Sequence, residues 1–396
     1  MRLKDKKILF GLTGSIAIYK SAGIIRHLIR GEGADITVIM TDSAKKFISP
    51  LLFETLTGNP VFSEMFESEA KGTVHIDLAR GADLLVICPA TANIIGKIAN
   101  GIADNLLTTI AMVKGIDTLI APAMNDRMYL NPVTQENMKK LRNLGYEIVE
   151  SEEGELACKT CGIGRLADED KILLAILRKL GKKKFLTGKK VVVTAGPTRE
   201  YIDDIRFISN RSSGKMGFAI AEQAYIMGAD VTLIAGPNNL KKIPFIEYIE
   251  VQTSQQMLKA LLEMKDADYL FMAAAIEDFV PEKFNGKIKK SDGVRTVKIS
   301  YAEDIIKAYK KNYPDTVVVG FSVETVNGKE NTLKKLREKG IDYIAWNDPT
   351  KVDTAFESDY NEIVLYSKNG NKWDLLKDKK IDIARELIEI VAGEGR

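Results

Sequence analysis

Two kinds of pattern alternate along this chain. Short apolar runs rich in Val, Ile and Leu cover 7–12, 36–40, 84–88 and 118–121, then 191–194, 231–235, 269–273, 317–321 and 343–346. Bounded by turn signals, such runs predict strands. Between them lie stretches whose apolar positions recur every three to four residues, as in 16–30, 218–227, 254–264 and 331–339. That spacing predicts amphipathic helices. Strand–helix alternation builds βαβ units, so the expected fold class is α/β with two Rossmann-like, doubly wound parallel sheets. On such sheets ligands bind beyond the carboxyl ends of the strands, where the loops gather. The alternation breaks once: RKLGKKKFLTGKK, residues 178–190, carries no apolar period until Val191. This predicts one domain at 1–181, a solvated basic linker at 182–190 and a second domain at 191–396.

Composition narrows the class. A chain of 396 residues is long enough for each half to bury its own core. Hydrophobic residues at 45% and charged residues at 28% are ordinary for a soluble globular protein. A net charge of +3 is too near neutral to argue for nucleic acid or a membrane surface. No apolar run reaches the ~18 residues of a membrane helix, and MRLKDKKILF enters a strand without a signal-peptide layout. Three cysteines make no disulfide framework, so a reducing, cytoplasmic compartment is expected.

The loops carry the chemistry. VVVTAGPTREYIDDIRFISNRSSGKMG, residues 191–217, runs from a strand through a Gly/Pro turn to a glycine-flanked helix start. Free backbone N–H groups and the positive helix end meet there, with Arg199, Arg206, Arg211 and Lys215 in the same loop. That combination suits a phosphorylated, acidic ligand. In the first half, Gly14 and Ser15 follow the first strand; Ser15 is expected to cap a helix starting at Ile16. Loops at 40–43, 89–93, 122–125 and 154–165 add small hydroxyls, amides and two cysteines. Neither GxGxxG nor GxxxxGK[ST] occurs. His27, mid-helix, and Cys88, at a strand end, read as structural.

Longer motifs are more specific than any glycine turn. GSIAIYK, TVHIDLARGADLLVICPATANIIGKIANGIADNLL, PAMNDRMYLNP and the Ala-Cys flap resemble the flavin-dependent cysteine decarboxylases. VTAGPTRE, RFISNRSSGKMG, AAAIEDF and KIKK resemble phosphopantothenate–cysteine ligase. In this order, over roughly residues 7–395, the chain resembles the bifunctional phosphopantothenoylcysteine decarboxylase/phosphopantothenate–cysteine ligases of coenzyme A synthesis.

The resemblance implies a flavodoxin-like first domain holding FMN and a ligase-type second domain using CTP and Mg²⁺. Its small-molecule substrates would be 4′-phosphopantothenate, cysteine, CTP and phosphopantothenoylcysteine. It assigns FMN contacts to Gly14, Ser15, Thr41, Thr91 and Asn93, and decarboxylation to His75, Asn125 and the proton-donating Cys158. In the ligase half Asn210 would stabilise the acyl-cytidylate. Nucleotide contacts carry over to Ala273, Ala274, Ala275, Asp278, Lys287, Lys289, Phe321, Lys335 and Lys339, with Asp278 also a metal ligand. It further implies trimers through the first half and dimers through the second, hence a dodecamer.

Lys159, Cys161, Tyr129, Glu277 and Phe279 depart from the family pattern; they bear on the geometry of the flap and on base selectivity. Two other readings stay open here. One is a non-catalytic, regulatory flavoprotein, against which Cys158 and the complete second half argue. The other is a nicotinamide-dependent oxidoreductase, against which the missing GxGxxG loop argues.

Overall fold

The computed structural model describes residues 2–65, 74–155, 161–181, 184–289, 296–348, 350 and 358–393. The chain divides into two compact units, Met1–Lys182 and Lys183–Arg396. No helix among the described residues is long and apolar enough to cross a membrane.

In the first unit, β1 (Lys7–Leu12), β2 (Asp35–Met40), β3 (Leu84–Ala90), β4 (Thr118–Pro122) and β5 (Glu147–Ile148) form a parallel sheet ordered β2-β1-β3-β4-β5. This is the flavodoxin-like order, and it reverses between β1 and β3. β3 is buried along its whole length. Helices Ala92–Ala99 and Leu106–Ala111 share a core with Leu9, Leu85, Ile87 and Ile120. Thr13 closes the reversal point: its hydroxyl donates to the Pro89 carbonyl at 2.6 Å and accepts from the Thr91 N–H at 3.2 Å. An antiparallel hairpin follows, β6 (Glu152–Glu155) with β7 (Cys161–Arg165).

The first helix begins at Ile18, not Ile16, and Ser15 does not cap it. A tight turn comes first, in which the Ser15 N–H donates to the Thr13 carbonyl at 2.8 Å and the Ser15 carbonyl accepts from Ile18 at 3.0 Å.

The second unit holds β8 (Lys190–Ala195), β9 (Arg199–Tyr201), β10 (Phe207–Ser209), β11 (Asp230–Ala235), β12 (Glu247–Glu250), β13 (Tyr269–Met272), β14 (Phe279–Pro281), β15 (Ile299–Tyr301), β16 (Val317–Val323), β17 (Tyr343–Asn347), β18 (Tyr360–Ser367) and β19 (Lys372–Lys379). Its main sheet runs β12-β11-β8-β13-β16-β17-β18-β19. The strands from β12 to β17 are parallel in Rossmann order, reversing between β8 and β13. β18 and β19 add antiparallel, so the sheet is mixed where a parallel one was expected.

Helices Ser254–Glu263, Ile305–Asn312 and Gly328–Lys339 share a core with Val192, Leu270, Val318 and Ile344. Helix Lys215–Ile226 packs on β8 and on the C-terminal helix Lys380–Gly393. Its approach to β8 requires glycine: a Cβ on Gly217 would sit 2.6 Å from the Ala195 Cβ. The expected linker is not wholly solvated. Leu186 is fully buried and its N–H donates to the Met227 carbonyl, while Lys190 opens β8.

Candidate functional site

In the second unit a cavity of about 640 Å³ opens at the carboxyl ends of β13, β16 and β17. Its walls include Asn210, Asp278 and Phe321, the alanines Ala273, Ala274 and Ala275, and the lysines Lys335 and Lys339. The alanine segment is pinned by its neighbours. The Ala274 N–H donates to the Thr194 hydroxyl at 3.1 Å, the Ala275 N–H to the Gly196 carbonyl at 2.9 Å, and the Glu277 N–H to the Thr198 hydroxyl at 2.8 Å. Small side chains on a fixed backbone leave room for a flat ligand. The Asn210 amide donates to the Ile276 carbonyl at 3.0 Å, so the loop before the helix is tied to the loop after β13.

Lys335 pairs with Glu324 at 2.5 Å and Lys339 with Asp304 at 3.0 Å. Both lysines sit four residues apart on one helix and face the cavity. An anionic ligand would compete with these two carboxylates for them.

Lys287 and Lys289 do not line this cavity; both are exposed, just before residues 290–295, which lie outside the described residues. Of the expected cationic cluster, Lys215 lines the cavity, whereas Arg199 and Arg206 turn to other partners. The Arg206 guanidinium donates to Asp203 at 2.6 Å and to the Ile288 carbonyl at 3.2 Å, and Arg199 stacks over Phe207 with its guanidinium carbon 4.5 Å from the ring centre. Arg206 serves instead to organise Asp203. Burial alone would raise the Asp203 carboxyl, but backbone N–H groups of Arg206, Ile205 and Ile288, with the Arg206 charge, hold it down at about 2. Asp203 thereby ties the loop bearing Lys287 to the loop after β9.

Among the wall residues that sequence reasoning missed are Asn347, Asn361 and Lys380. Asn361 and Lys380 come from β18 and the C-terminal helix, elements that apolar patterning did not mark. The polar Asn347 at the end of an apolar strand was a signal that could have been used.

In the first unit the strand-end loops meet at the reversal point. Thr41 caps helix Asp42–Lys45, accepting from Ala44 at 3.3 Å, and its N–H donates to the Leu12 carbonyl at 3.1 Å. Thr91 caps helix Ala92–Ala99, and Asn93 lies exposed in that helix's first turn. A Cβ on Gly14 would sit 2.5 Å from the Ser43 Cβ, so the loops after β1 and β2 touch there.

A second cavity, about 610 Å³, is lined by Ser15, Ile16, Tyr19, Met124, Asn125 and Gly164 among others. Asn125 is also a helix cap, its side-chain oxygen accepting from Arg127 at 3.0 Å. β7 docks on this loop: the Met124 N–H donates to the Gly164 carbonyl at 2.9 Å. Only glycine fits at 164, where φ is +138° and a Cβ would lie 2.4 Å from the Met124 carbonyl oxygen.

Of the expected first-unit residues, Ser15 and Asn125 line this cavity; Gly14, Thr41, Thr91, Asn93 and His75 do not. His75 lies within the first turn of helix Val74–Gly81. Cys158 lies outside the described residues, and Cys161 is exposed at the start of β7. Cys88 is a core residue whose thiol burial pushes up to about 12. Among the described residues no group of three or more His, Cys, Asp or Glu side chains could hold a metal ion.

Two family models divide the chain as the fold does. One, described as flavoprotein, matches residues 1–181; the other, the DNA/pantothenate metabolism flavoprotein C-terminal domain, matches 186–394. The coenzyme A biosynthesis bifunctional protein CoaBC of Bacillus subtilis (strain 168) is 40% identical over 401 residues, covering 98% of this chain and 97% of that protein. Its counterpart in Haemophilus influenzae is 39% identical over 398 residues, covering 98% of each. Among solved structures, the C-terminal domain of a coenzyme A biosynthesis bifunctional protein CoaBC is 33% identical, covers 54% of this chain and 98% of its own, and has a TM-score of 0.46.

Proposed function

This chain belongs to the family of coenzyme A biosynthesis bifunctional proteins, and from that membership we propose how its residues divide the work. The second unit is a phosphopantothenate–cysteine ligase and the first a flavoprotein phosphopantothenoylcysteine decarboxylase.

The observation that carries the ligase assignment is the single cavity that joins Asn210, the alanine segment, Asp278, Lys335 and Lys339. A carboxylate is a poor electrophile. The carboxylate of 4′-phosphopantothenate therefore attacks the α-phosphorus of CTP, forming a P–O bond as pyrophosphate leaves. The cysteine amine then attacks the acyl carbon, and CMP departs with the former carboxylate oxygen. Asn210 donates its amide to the oxyanion. Lys335 and Lys339 leave their carboxylate partners for phosphate oxygens. Ala273, Ala274 and Ala275 give the nucleotide a flat backbone, Phe321 packs against it, and Asp278 binds the nucleotide or its Mg²⁺. Lys287 and Lys289 reach the phosphates from their exposed loop.

The first unit's residues fit a phosphorylated flavin, FMN. Gly14 and Ser15, with Thr41, Thr91 and Asn93, supply small side chains, hydroxyls and first-turn backbone amides where the loops after β1, β2 and β3 meet. Held there, the flavin would supply reversible two-electron redox chemistry at the substrate thiol. The chain's own task is placement and proton delivery. His75 and Asn125 orient the substrate carboxylate. The Cys158 thiol, largely protonated below its ordinary pKa of about 8.5, donates to the enethiol carbon left after CO₂ departs.

We extend the reading to a cytoplasmic dodecamer built from trimers of the first unit and dimers of the second. The test is twofold. The purified chain should be yellow and release FMN by mass, and it should release pyrophosphate on mixing with CTP, cysteine, 4′-phosphopantothenate and Mg²⁺. A colourless folded chain removes the flavin assignment, and absence of pyrophosphate removes the ligase mechanism.

A further inference from the structure

Tyr129, where the chain departs from its family's pattern, belongs to the core of the first unit and is 4% exposed. Phenylalanine would serve for packing alone; a buried hydroxyl needs a partner. That partner is Glu150, whose carboxylate accepts from the phenol at 2.6 Å. Burial, the hydrogen bond to Glu150 and the Glu150 charge push the phenol up to about 12, so it remains a donor at neutral pH. Glu150 is held in turn. Its second carboxylate oxygen accepts from Arg142, and its carbonyl accepts from Lys171 at 3.2 Å.

The contact bears on Asn125 because Tyr129 ends the single helical turn that Asn125 begins. Asn125 caps helix Asp126–Tyr129, and the Tyr129 N–H donates to the Asn125 carbonyl at 2.9 Å. The far end of the turn is thus fastened to the segment between β5 and β6. It is also fastened to helix Pro132–Asn143, since the Gln135 amide donates to the Tyr129 carbonyl. The near end is fastened to β7 through Met124 and Gly164. The segment carrying Glu150 has its own anchor next door, where the Ser151 hydroxyl donates to the Pro122 carbonyl at 2.8 Å. Between these anchors Asn125 lines the cavity, whereas Tyr129 and Glu150 do not.

We propose that Tyr129 and Glu150 are positioning residues for decarboxylation: their hydrogen bond sets the direction in which Asn125 meets the substrate carboxylate. The inference rests on the decarboxylase reading of this unit. Neither side chain lines the cavity, so both act through the Asn125 turn. Without the bond the turn loses the anchor made by its own last side chain. Misplacing a group that orients substrate by ~1 Å costs up to about a hundredfold in rate. The Glu150 side chain is about half exposed, which weakens the bond, so a smaller loss of about tenfold is expected.

The test uses the full chain loaded with FMN and follows decarboxylation of supplied phosphopantothenoylcysteine. Tyr129→Phe removes the hydroxyl and keeps the ring. It should lower kcat about tenfold, while the KM, the flavin content and ligation stay as they are. Glu150→Met should lower kcat by the same factor. Glu150→Gln, which keeps an acceptor for the phenol, should retain most of the rate. Arg142→Met leaves the Tyr129 contact in place and should also retain it. The double variant Tyr129→Phe with Glu150→Met should be no slower than either single one, because both remove one contact. Losses that multiply in the double variant mean separate roles and overturn the proposal. So does a folded Tyr129→Phe chain with unchanged kcat, or one that loses flavin or ligation together with decarboxylation. If Tyr129→Phe does not fold, the two Glu150 variants decide, and equal kcat in both overturns the proposal. A native chain that holds FMN but leaves phosphopantothenoylcysteine intact removes the decarboxylase reading, and the proposal with it. Ordinary turnover in the native chain with unchanged variants removes the proposal alone.

Discussion

The Asn210 amide gives one N–H to the Ile276 carbonyl, which leaves its second for an oxyanion in the cavity. Asn210→Asp exchanges that donor for an acceptor-only carboxylate beside phosphate. Ligation should fall roughly a hundredfold, about 3 kcal/mol, while decarboxylation of supplied phosphopantothenoylcysteine is unchanged. Ligation at the ordinary rate would remove Asn210 from the chemistry. Cys158→Ser should separate two events in the other unit: CO₂ still forms, but 4′-phosphopantetheine does not, because a serine hydroxyl is too weak an acid to return the proton. Full turnover would exclude Cys158 as donor and turn attention to Cys161. Asp203 sets a pH signature. Its folded carboxyl sits at about 2 against an ordinary 3.8, so the unfolded chain binds the proton first as pH falls. Its stabilising contribution is complete above the ordinary value and is lost as pH drops toward about 2. Acid unfolding of Asp203→Asn should be flatter across that window; an identical acid limb would contradict the assignment.

Among the elements, those made of continuous apolar runs were legible. β1 keeps the bounds read from its pattern, and β3 and β8 keep theirs within two residues, since a strand covered on both faces cannot tolerate polar interruption. β18 and β19 were not read, because they are half exposed and mix charged with apolar positions. Missing β18 hid Asn361, and leaving the C-terminal helix unmarked hid Lys380, so the wall contributed by the C-terminal end of the chain was invisible to patterning. Conversely, Arg199 and Arg206 were read as ligand-facing because they crowd one loop; their partners, Phe207 and Asp203, lie within that loop and take them away from the cavity. The hairpin of β6 and β7 offers its own prediction. Gly164→Ala would force a Cβ against the Met124 carbonyl at a φ of +138°. Overpacking of this kind costs about 1–3 kcal/mol, with backbone strain added. Decarboxylation should drop because β7 no longer seats on the Asn125 loop, and ligation should be spared. Equal loss of both activities would point to global unfolding instead.

At the scale of the whole molecule, each unit has its own sheet and its own reversal of strand order. All proposed flavin contacts precede residue 181, so a chain of residues 1–181 should be yellow and trimeric by light scattering. A folded, colourless fragment would place part of the flavin site elsewhere. The central claim is that one chain performs two consecutive reactions at two independent sites. The most direct measurement supplies the purified chain with 4′-phosphopantothenate, cysteine, CTP and Mg²⁺ and follows the products by mass spectrometry. The account predicts one pyrophosphate, one CMP and one CO₂ for each 4′-phosphopantetheine, with phosphopantothenoylcysteine appearing first and then declining. Release of pyrophosphate with accumulation of phosphopantothenoylcysteine, and no 4′-phosphopantetheine, by a chain loaded with flavin would contradict it.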